Sequence, residues 1–357
     1  MPVYLESDQS NTGSQEGRAQ SSPHPLDAVA SPSLSIGLIN NMPQSAFAAT
    51  ERQFFSLLDS ASEGITINLS LYSLPGIPRP EPSPDYIGSN YSNFESLLNT
   101  RLDGIIVTGK EPLTPDLRDE ACWRSFTQVL EWARDNTHSA VWSCLAAHAA
   151  VLHMDGIGRI KSEHKHFGLL QCSGLRTHPL TAGAPPRFTV PHSRWNGLPG
   201  DELEARGYTV LARTADAGVD TFVKQQKSLF VFFQGHPEYE SETLLREYRR
   251  DVGRFLRRET STYPLLPRGY FDDRTASALT SLREEAMAGP GDDLFARVEG
   301  ALERAKIENT WRPTATNTYR NWLKFISAQK SKNQAAHDED GSASIKNRAA
   351  TNFSATA

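Results

Sequence analysis

A cysteine and a remote histidine–glutamate pair are the side chains of this chain best suited to catalysis. Cys144 follows the apolar run 138–142, and His236 and Glu238 follow the apolar run 229–233. In a nucleophilic triad the cysteine attacks, the histidine moves the proton, and the carboxylate orients the imidazole and stabilises its charged form. The sequence therefore predicts an enzyme with a cysteine nucleophile, His236 as its base and Glu238 as the orienting acid.

The place of Cys144 before a predicted helix supports this interpretation. Backbone N–H groups at the start of a helix stabilise a thiolate, and they can bind the oxyanion that forms when sulfur adds to a carbonyl. The N–H of Leu145 is the candidate oxyanion donor. Free cysteines are often inert core residues, and a His-x-Glu triplet can be a plain surface turn. The two features together favour catalysis.

Three cationic residues are candidates for binding a substrate carboxylate: Lys165, Arg194 and Arg250. Arginine suits planar bidentate binding, whereas lysine acts as a point charge. Arg250 lies on the predicted helix after the histidine loop, so it could point back toward the triad. The other interpretation is that these side chains are solvated surface charges.

No metal or nucleotide site is predicted. His164, His166 and His192 lack the carboxylate or cysteine cluster that would complete a metal site. The glycine-rich loops that bind nucleotide triphosphates or dinucleotides are missing from the sequence. Cys122 and Cys172 are expected to be structural, and His148 to be a packing residue near the site.

Composition excludes several classes of protein. The 357 residues carry a net charge of −5, which argues against a nucleic-acid partner, and no apolar run is long enough for a bilayer. The polar N-terminal segment resembles neither a secretory signal nor a transit peptide. Three cysteines without C-x-x-C spacing fit a reducing compartment, so we expect a cytoplasmic enzyme of small molecules, with a homodimer as one assembly to consider.

Alternating strand and helix patterns predict an α/β fold with a mostly parallel sheet flanked by helices. Residues 34–330 are predicted to form one catalytic domain, which includes a helical insertion at 276–306. Residues 1–33 and 331–357 are polar and are predicted to be disordered tails. Predicted strands cover 34–40, 65–71, 104–109, 138–142, 187–190, 208–212, 221–223 and 229–233, and the main predicted helices cover 46–58, 123–135, 145–153, 241–258 and 319–330.

An ordered series of motifs between about Ser35 and Lys330 resembles the homoserine O-acyltransferases of the succinyltransferase type, which have the class I glutamine amidotransferase-like fold. The motifs are Asn40-x-Met42-Pro43, Asn93-Phe94-Glu95, Asp103-Gly104-Ile105-Ile106-Val107-Thr108-Gly109, Cys144-x-Ala146, Lys165-x-x-Gly168, Pro191-His192-Ser193-Arg194, Gly235-His236-Pro237-Glu238-Tyr239 and Arg250-Asp251.

This resemblance implies that Cys144 takes an acyl group from acyl-CoA as a thioester, with no bound cofactor. It further implies that His236 and Glu238 activate first the thiol and then the hydroxyl of L-homoserine, in methionine biosynthesis. Lys165, Ser193 and Arg250 match positions that contact the amino-acid substrate.

The sequence leaves the two substrates partly open. The family usually has an aromatic residue where this chain has Leu145, and Ala-Pro where it has Lys110 and Glu111. The acyl donor can therefore be succinyl-CoA or acetyl-CoA. The acceptor can be homoserine or another hydroxy amino acid such as serine. A glutaminase or amidohydrolase on the same fold is a further alternative, although the glycines that usually flank an amidotransferase cysteine are replaced by Trp142 and Ala146.

Overall fold

One sheet of ten strands forms the centre of the computed structural model, which describes residues 3–5, 32–78, 90–174, 176–289 and 291–353, with side chains as far as residue 335. In chain order the strands are β1 (Val3–Leu5), β2 (Ser33–Ile39), β3 (Thr66–Tyr72), β4 (Gly104–Val107), β5 (Ser139–Ser143), β6 (Ile160–Gly174), β7 (Arg187–Gly197), β8 (Thr209–Thr214), β9 (Gly218–Gln225) and β10 (Leu229–Phe233). Their order across the sheet is β1-β3-β2-β4-β5-β10-β9-β8-β6-β7.

The first six strands in this order are parallel, as the sequence predicts. Strands β4, β5 and β10 are buried along their whole length, because helices cover both faces of a parallel sheet. Their short, continuous apolar sequences reflect this burial. The prediction of an α/β fold with a mostly parallel sheet is confirmed for this half of the molecule.

The other four strands pair antiparallel and extend the sheet beyond β10. Strand β6 was not predicted, because residues 161–166 are charged or polar and show no apolar alternation. Its partner β7 also continues well past the predicted 187–190. Together β6 and β7 form a long hairpin that carries Lys165 and Ser193.

Nine α-helices are described: α1 (Gln44–Ala61), α2 (Phe94–Asn99), α3 (Trp123–Asn136), α4 (Leu145–Asp155), α5 (Gly200–Ala205), α6 (Thr243–Leu256), α7 (Asp273–Ala288), α8 (Leu294–Glu303) and α9 (Arg312–Phe353). Helices α3 and α4 pack on the face of β5 that presents Trp142, whereas α1 and α9 pack on the face that presents Val141. In the described ranges, no helix combines the length and apolarity needed to cross a membrane.

The ends of the chain differ from the predicted disordered tails 1–33 and 331–357. Val3–Leu5 is an edge strand paired with β3, because Val3 is buried in the core beside the first helix. Residues 6–31 and 354–357 lie outside the described residues. Helix α9 continues past residue 330 to Phe353, through a stretch without proline and with several strong helix formers.

Helices α7 and α8 occupy the segment 276–306 that was predicted to be a helical insertion. Leu279, Leu282 and Val298 pack in one core cluster with Tyr248 and Val252 of α6. This third cluster lies apart from the two that cover the sheet. It therefore fixes helix α6, whose polar face points toward the site described below.

We predict that Trp322→Ala lowers the free energy of unfolding by about 3–5 kcal/mol, the usual cost of removing a buried Trp side chain. Trp322 is 2% exposed, and its indole N–H donates to Ser139 Oγ at 2.9 Å, so the variant leaves both a cavity and a missing hydrogen bond. Urea denaturation followed by circular dichroism measures the change. Trp195→Ala, at a residue 48% exposed, is the control; equal losses in both variants would contradict the prediction.

Candidate active site

Cys144 occupies a sharp, strained turn between β5 and α4. Its backbone angles are φ 52° and ψ −115°, and it is one of three non-glycine residues with positive φ in the described ranges. Such a conformation costs of order 1–3 kcal/mol, and it persists where the surrounding structure holds it. Here the core strand β5 and the buried helix α4 hold the turn. The turn projects the sulfur from the carboxyl edge of the sheet.

Strand β10 delivers His236 to the same edge. Phe233, the last residue of β10, pairs in parallel with Ser143, the last residue of β5. The Cys144 N–H donates to the Phe233 carbonyl at 2.7 Å, and the His236 N–H donates to the Pro191 carbonyl at 2.8 Å. Because neighbouring parallel strands end together, residues 92 positions apart in sequence meet at one site.

The imidazole of His236 links the carboxylate to the thiol. Its Nδ1 lies 2.8 Å from Glu238 Oε1, and the ring shares the cavity with the Cys144 thiol, close enough for the two groups to affect each other's charge. Burial lowers the pKa of His236, but the charges of Cys144 and Glu238 and its hydrogen bonds to both outweigh that effect and raise the pKa well above its ordinary value. Tyr239 stacks on the ring with 4.2 Å between centroids. This arrangement suits a thiolate–imidazolium pair.

The backbone nitrogen of Leu145, at the start of α4, lies close to the loop that follows β4. As the first residue of the helix, Leu145 has an N–H without an intrahelical acceptor. A Cβ on Gly109 would lie 2.7 Å from that nitrogen, so only glycine allows the β4 loop to approach it. The geometry agrees with the predicted oxyanion donor, a role that stays a prediction.

A cavity of about 600 Å³ opens over these groups. Every residue that the sequence analysis assigned to the site lines it: Cys144, Leu145, Lys165, Ser193, His236, Glu238 and Arg250. These residues come from two strand ends, one hairpin and one helix. Only the tertiary structure brings them together.

Glu247 is a central residue of this cavity that the sequence analysis missed. It accepts hydrogen bonds from Ser193 Oγ at 2.5 Å and from Tyr239 Oη at 2.7 Å, and Lys165 Nζ lies 3.9 Å from it. Burial and the Glu247 charge raise the pKa of Tyr239 well above its ordinary value. Glu247 thus connects the hairpin, the histidine loop and helix α6.

Helical spacing could have revealed Glu247. Residues 247, 250, 251 and 254 of α6 follow the i, i+3, i+4, i+7 pattern of one helix face, and all four line the cavity. Lys165 Nζ is 3.6 Å from Asp251 Oδ2, and Arg250 hydrogen-bonds Asp251 at 2.8 Å. This face therefore offers fixed positive and negative groups side by side.

The third cationic candidate, Arg194, already uses its guanidinium in hydrogen bonds within the protein. Its guanidinium donates to the carbonyls of Asn196 and Ala217 at 2.5 and 2.6 Å and to His192 Nδ1 at 3.2 Å. His192 Nε2 in turn lies 3.1 Å from Asp220 Oδ1. A Cβ on Gly235 would lie within 3 Å of this His192–Asp220 pair, so the pair supports the loop that carries His236.

Cys172 joins His192 and Asp220 in a buried group whose ligand-type atoms lie within 4.8 Å of one another. Burial, and then the Asp220 charge, raise the pKa of the Cys172 thiol, so the cysteine stays neutral at ordinary pH. The guanidinium of Arg194 already supplies a cation beside this group. We therefore describe it as a structural network beneath the histidine loop.

We predict that Cys144→Ser lowers the pKa of His236. The serine hydroxyl is neutral, so the thiolate charge that holds the imidazolium is lost, while burial continues to favour the neutral ring. Proton–carbon NMR of labelled histidine measures the titration. His236 should stay protonated above pH 7 in the parent chain and titrate at lower pH in the variant. Cys122→Ser, outside the catalytic cavity, is the control; an unchanged midpoint in Cys144→Ser would refute the ion pair.

The family profile and the sequence relatives agree on one family. The profile described as homoserine O-succinyltransferase matches residues 28–333. The chain is 43% identical to the homoserine O-succinyltransferase of Rhodopseudomonas palustris, covering 83% of this chain and 89% of that protein. It is 42% identical to that of Methylorubrum extorquens, covering 82% and 87%. Similar solved structures include a glutamine amidotransferase from Thermotoga maritima, with 11% identity, a TM-score of 0.45 and coverage of 82% and 98%. The chain belongs to the homoserine O-succinyltransferase family.

Proposed function

We propose that this chain carries out the reaction of its family, the O-succinylation of L-homoserine in methionine biosynthesis, by way of a succinyl thioester on Cys144. The observation that carries the proposal is the joint placement of Cys144, His236 and Glu238 in one cavity with paired cationic and anionic groups. Succinyl-CoA is the donor, and no bound cofactor takes part. The sequence matches give the family, and the contacts within the cavity support the role proposed for each residue.

In the first half-reaction the Cys144 thiolate adds to the thioester carbonyl of succinyl-CoA. The Leu145 N–H donates to the oxyanion that forms. When the tetrahedral intermediate collapses, the bond from the carbonyl carbon to the CoA sulfur breaks, and imidazolium His236 gives its proton to that sulfur. Free CoA leaves, and the succinyl group remains on Cys144. Glu238 holds the tautomer of His236 that permits this transfer.

In the second half-reaction the now neutral His236 takes the proton of the homoserine hydroxyl. The hydroxyl oxygen attacks the thioester on Cys144, and the carbon–sulfur bond breaks to release O-succinylhomoserine. Cys144 leaves as a thiolate beside the imidazolium, so the starting ion pair is restored. The product carries a carboxylate leaving group in place of a hydroxyl, which makes the carbon ready for displacement by a sulfur nucleophile.

Helix α6 and the hairpin supply groups that fit an amino acid zwitterion. Lys165 and Arg250 offer positive charge for its α-carboxylate, and Glu247 and Asp251 offer negative charge for its α-ammonium. Ser193 is held against Glu247 and completes this pocket. An acceptor that lacks either charge would make fewer charged contacts in this pocket, which disfavours its binding. Homoserine satisfies both charges.

We predict that intact-mass spectrometry detects a succinyl adduct after incubation with succinyl-CoA alone, and that Cys144→Ala abolishes it. His236→Ala should lower kcat by about 10²- to 10⁴-fold, because the proton-transfer group is lost. Glu238→Gln should retain a small residue of activity. Product mass identifies O-succinylhomoserine, and an ammonia assay with glutamine tests the glutaminase alternative. Turnover at the parent rate in His236→Ala would refute the assigned role.

We further predict that Glu247→Gln raises the KM for homoserine by about 10- to 100-fold, since a hydrogen bond to a charged group contributes about 1.5–3 kcal/mol. The KM for succinyl-CoA should change little. Steady-state kinetics with each substrate varied in turn measures the difference. Glu299→Gln is the control, because Glu299 forms an exposed pair with Arg249 outside the cavity. A similar rise in both KM values would argue against amino-acid binding by Glu247.

A further inference from the structure

A cation without a carboxylate partner lines the catalytic cavity on the side of the β4 loop. Arg159 lies just before β6, and its Nη2 donates to the Pro115 carbonyl at 3.0 Å. Its Nη1 is buried and makes no hydrogen bond in the part of the chain that the structure describes. No carboxylate oxygen of that part lies within 4 Å of the guanidinium. A half-buried guanidinium left in this state is costly unless a ligand completes it.

The other cations of the cavity differ from Arg159 in this respect. Four of them have carboxylate partners within 4 Å, namely Lys110 with Glu120, Lys165 with Asp251, Arg250 with Asp251, and Arg254 with Glu259. The fifth, Arg194, donates to two carbonyls and to His192. Among the cations that line the described cavity, Arg159 is the one with neither a carboxylate oxygen within 4 Å nor a hydrogen bond at Nη1. Burial lowers the pKa of its guanidinium, against the more distant charges of Glu120 and Asp116.

Arg159 lines the same cavity as Cys144 and as His148, which lies one helical turn beyond Cys144 on α4. Burial, and then the charges of Arg194 and Arg159, lower the pKa of His148 to about 3, against the hydrogen bond that its Nε2 donates to Gln234 Oε1. Arg159 is therefore near the helix that presents the sulfur. The amino-acid pocket of α6 and the hairpin uses a different set of cations.

We propose that Arg159 binds the terminal carboxylate of the succinyl group and selects this donor over uncharged acyl groups. The inference rests on the proposed function only for the identity of the anion. A carboxylate on the acyl chain is the one charge that distinguishes succinyl-CoA from donors with a plain hydrocarbon acyl group. Guanidinium suits it because it is a permanent cation with several N–H donors, and those on Nη1 have no acceptor among the described residues. The hydrogen bond from Nη2 to the Pro115 carbonyl restrains the guanidinium before binding, which reduces the side-chain entropy lost when an anion binds.

Glu111 lines the same cavity and carries the opposite charge, so its location matters for this assignment. Burial lowers the pKa of Arg250, but the contacts with Asp251 and other charges raise it above its ordinary value. The charge of Glu111 makes one of the smaller contributions to this rise. The charge of Glu111 therefore acts on Arg250, and among the described residues no ion pair within 4 Å joins Glu111 to Arg159.

The test compares succinyl-CoA with butyryl-CoA, whose acyl chain lacks the carboxylate. Arg159→Met should lower kcat/KM for succinyl-CoA by about 10- to 100-fold, the cost of losing hydrogen bonds to a charged group, and change that for butyryl-CoA by less than about threefold. Arg159→Lys keeps the charge but not the fork, and should give an intermediate loss. Arg118→Met is the matched control, because Arg118 pairs with Asp116 on the same loop and is exposed.

An equal loss with both donors would overturn the proposal, since it would assign Arg159 to the CoA phosphates or to the fold. No loss with either donor would overturn it as well. Calorimetric binding of succinyl-CoA and butyryl-CoA to Cys144→Ser, with and without Arg159→Met, gives a second measurement that needs no acceptor. If the parent chain failed to acylate homoserine, the proposed function would fail, whereas a selective loss of succinyl-CoA binding would still support Arg159.

Discussion

The parallel pairing of β5 with β10 is the constraint on which the whole site depends. Because of this pairing both strands end at the same level, with Ser143 opposite Phe233. The hydrogen bond from the Cys144 N–H to the Phe233 carbonyl is the last one between the two strands. The thiol and the imidazole leave the sheet side by side for this reason. The strain at Cys144 is tolerated because the two strands are buried along their whole length and cannot move to release it.

The other parts of the site surround the carboxyl ends of β5 and β10. The hairpin β6–β7 extends the sheet and presents Lys165 and Ser193, and helix α6 closes the opposite side with Glu247, Arg250 and Asp251. Helices α7 and α8 add no group to the described lining of the cavity; they bury the apolar face of α6 and fix its polar face. The segment predicted as an insertion therefore serves the site indirectly, by packing.

Charge is distributed unevenly over the cavity, and this distribution defines its chemistry. Opposite charges alternate on the α6 side, where a zwitterion can be matched group by group. The Arg159 guanidinium, proposed above to bind the succinyl carboxylate, lies on the β4 side with an Nη1 that makes no hydrogen bond to the described residues. In the proposed roles, the acyl group and the amino acid therefore use different charged groups of the cavity that holds the Cys144 sulfur, as successive half-reactions require.

The sequence by itself determined the strands and helices of the parallel half, the strand–helix position of Cys144 and the pairing of His236 with Glu238, because these follow from local apolar patterns and short motifs. It did not determine β6, whose polar residues lack strand periodicity, the edge strand Val3–Leu5, or the extension of α9 to Phe353. Glu247 and Arg159 carry no motif, and they matter only through neighbours distant in the chain. The roles proposed for them rest on the tertiary structure, since burial and charge pairing depend on contacts that no stretch of sequence specifies.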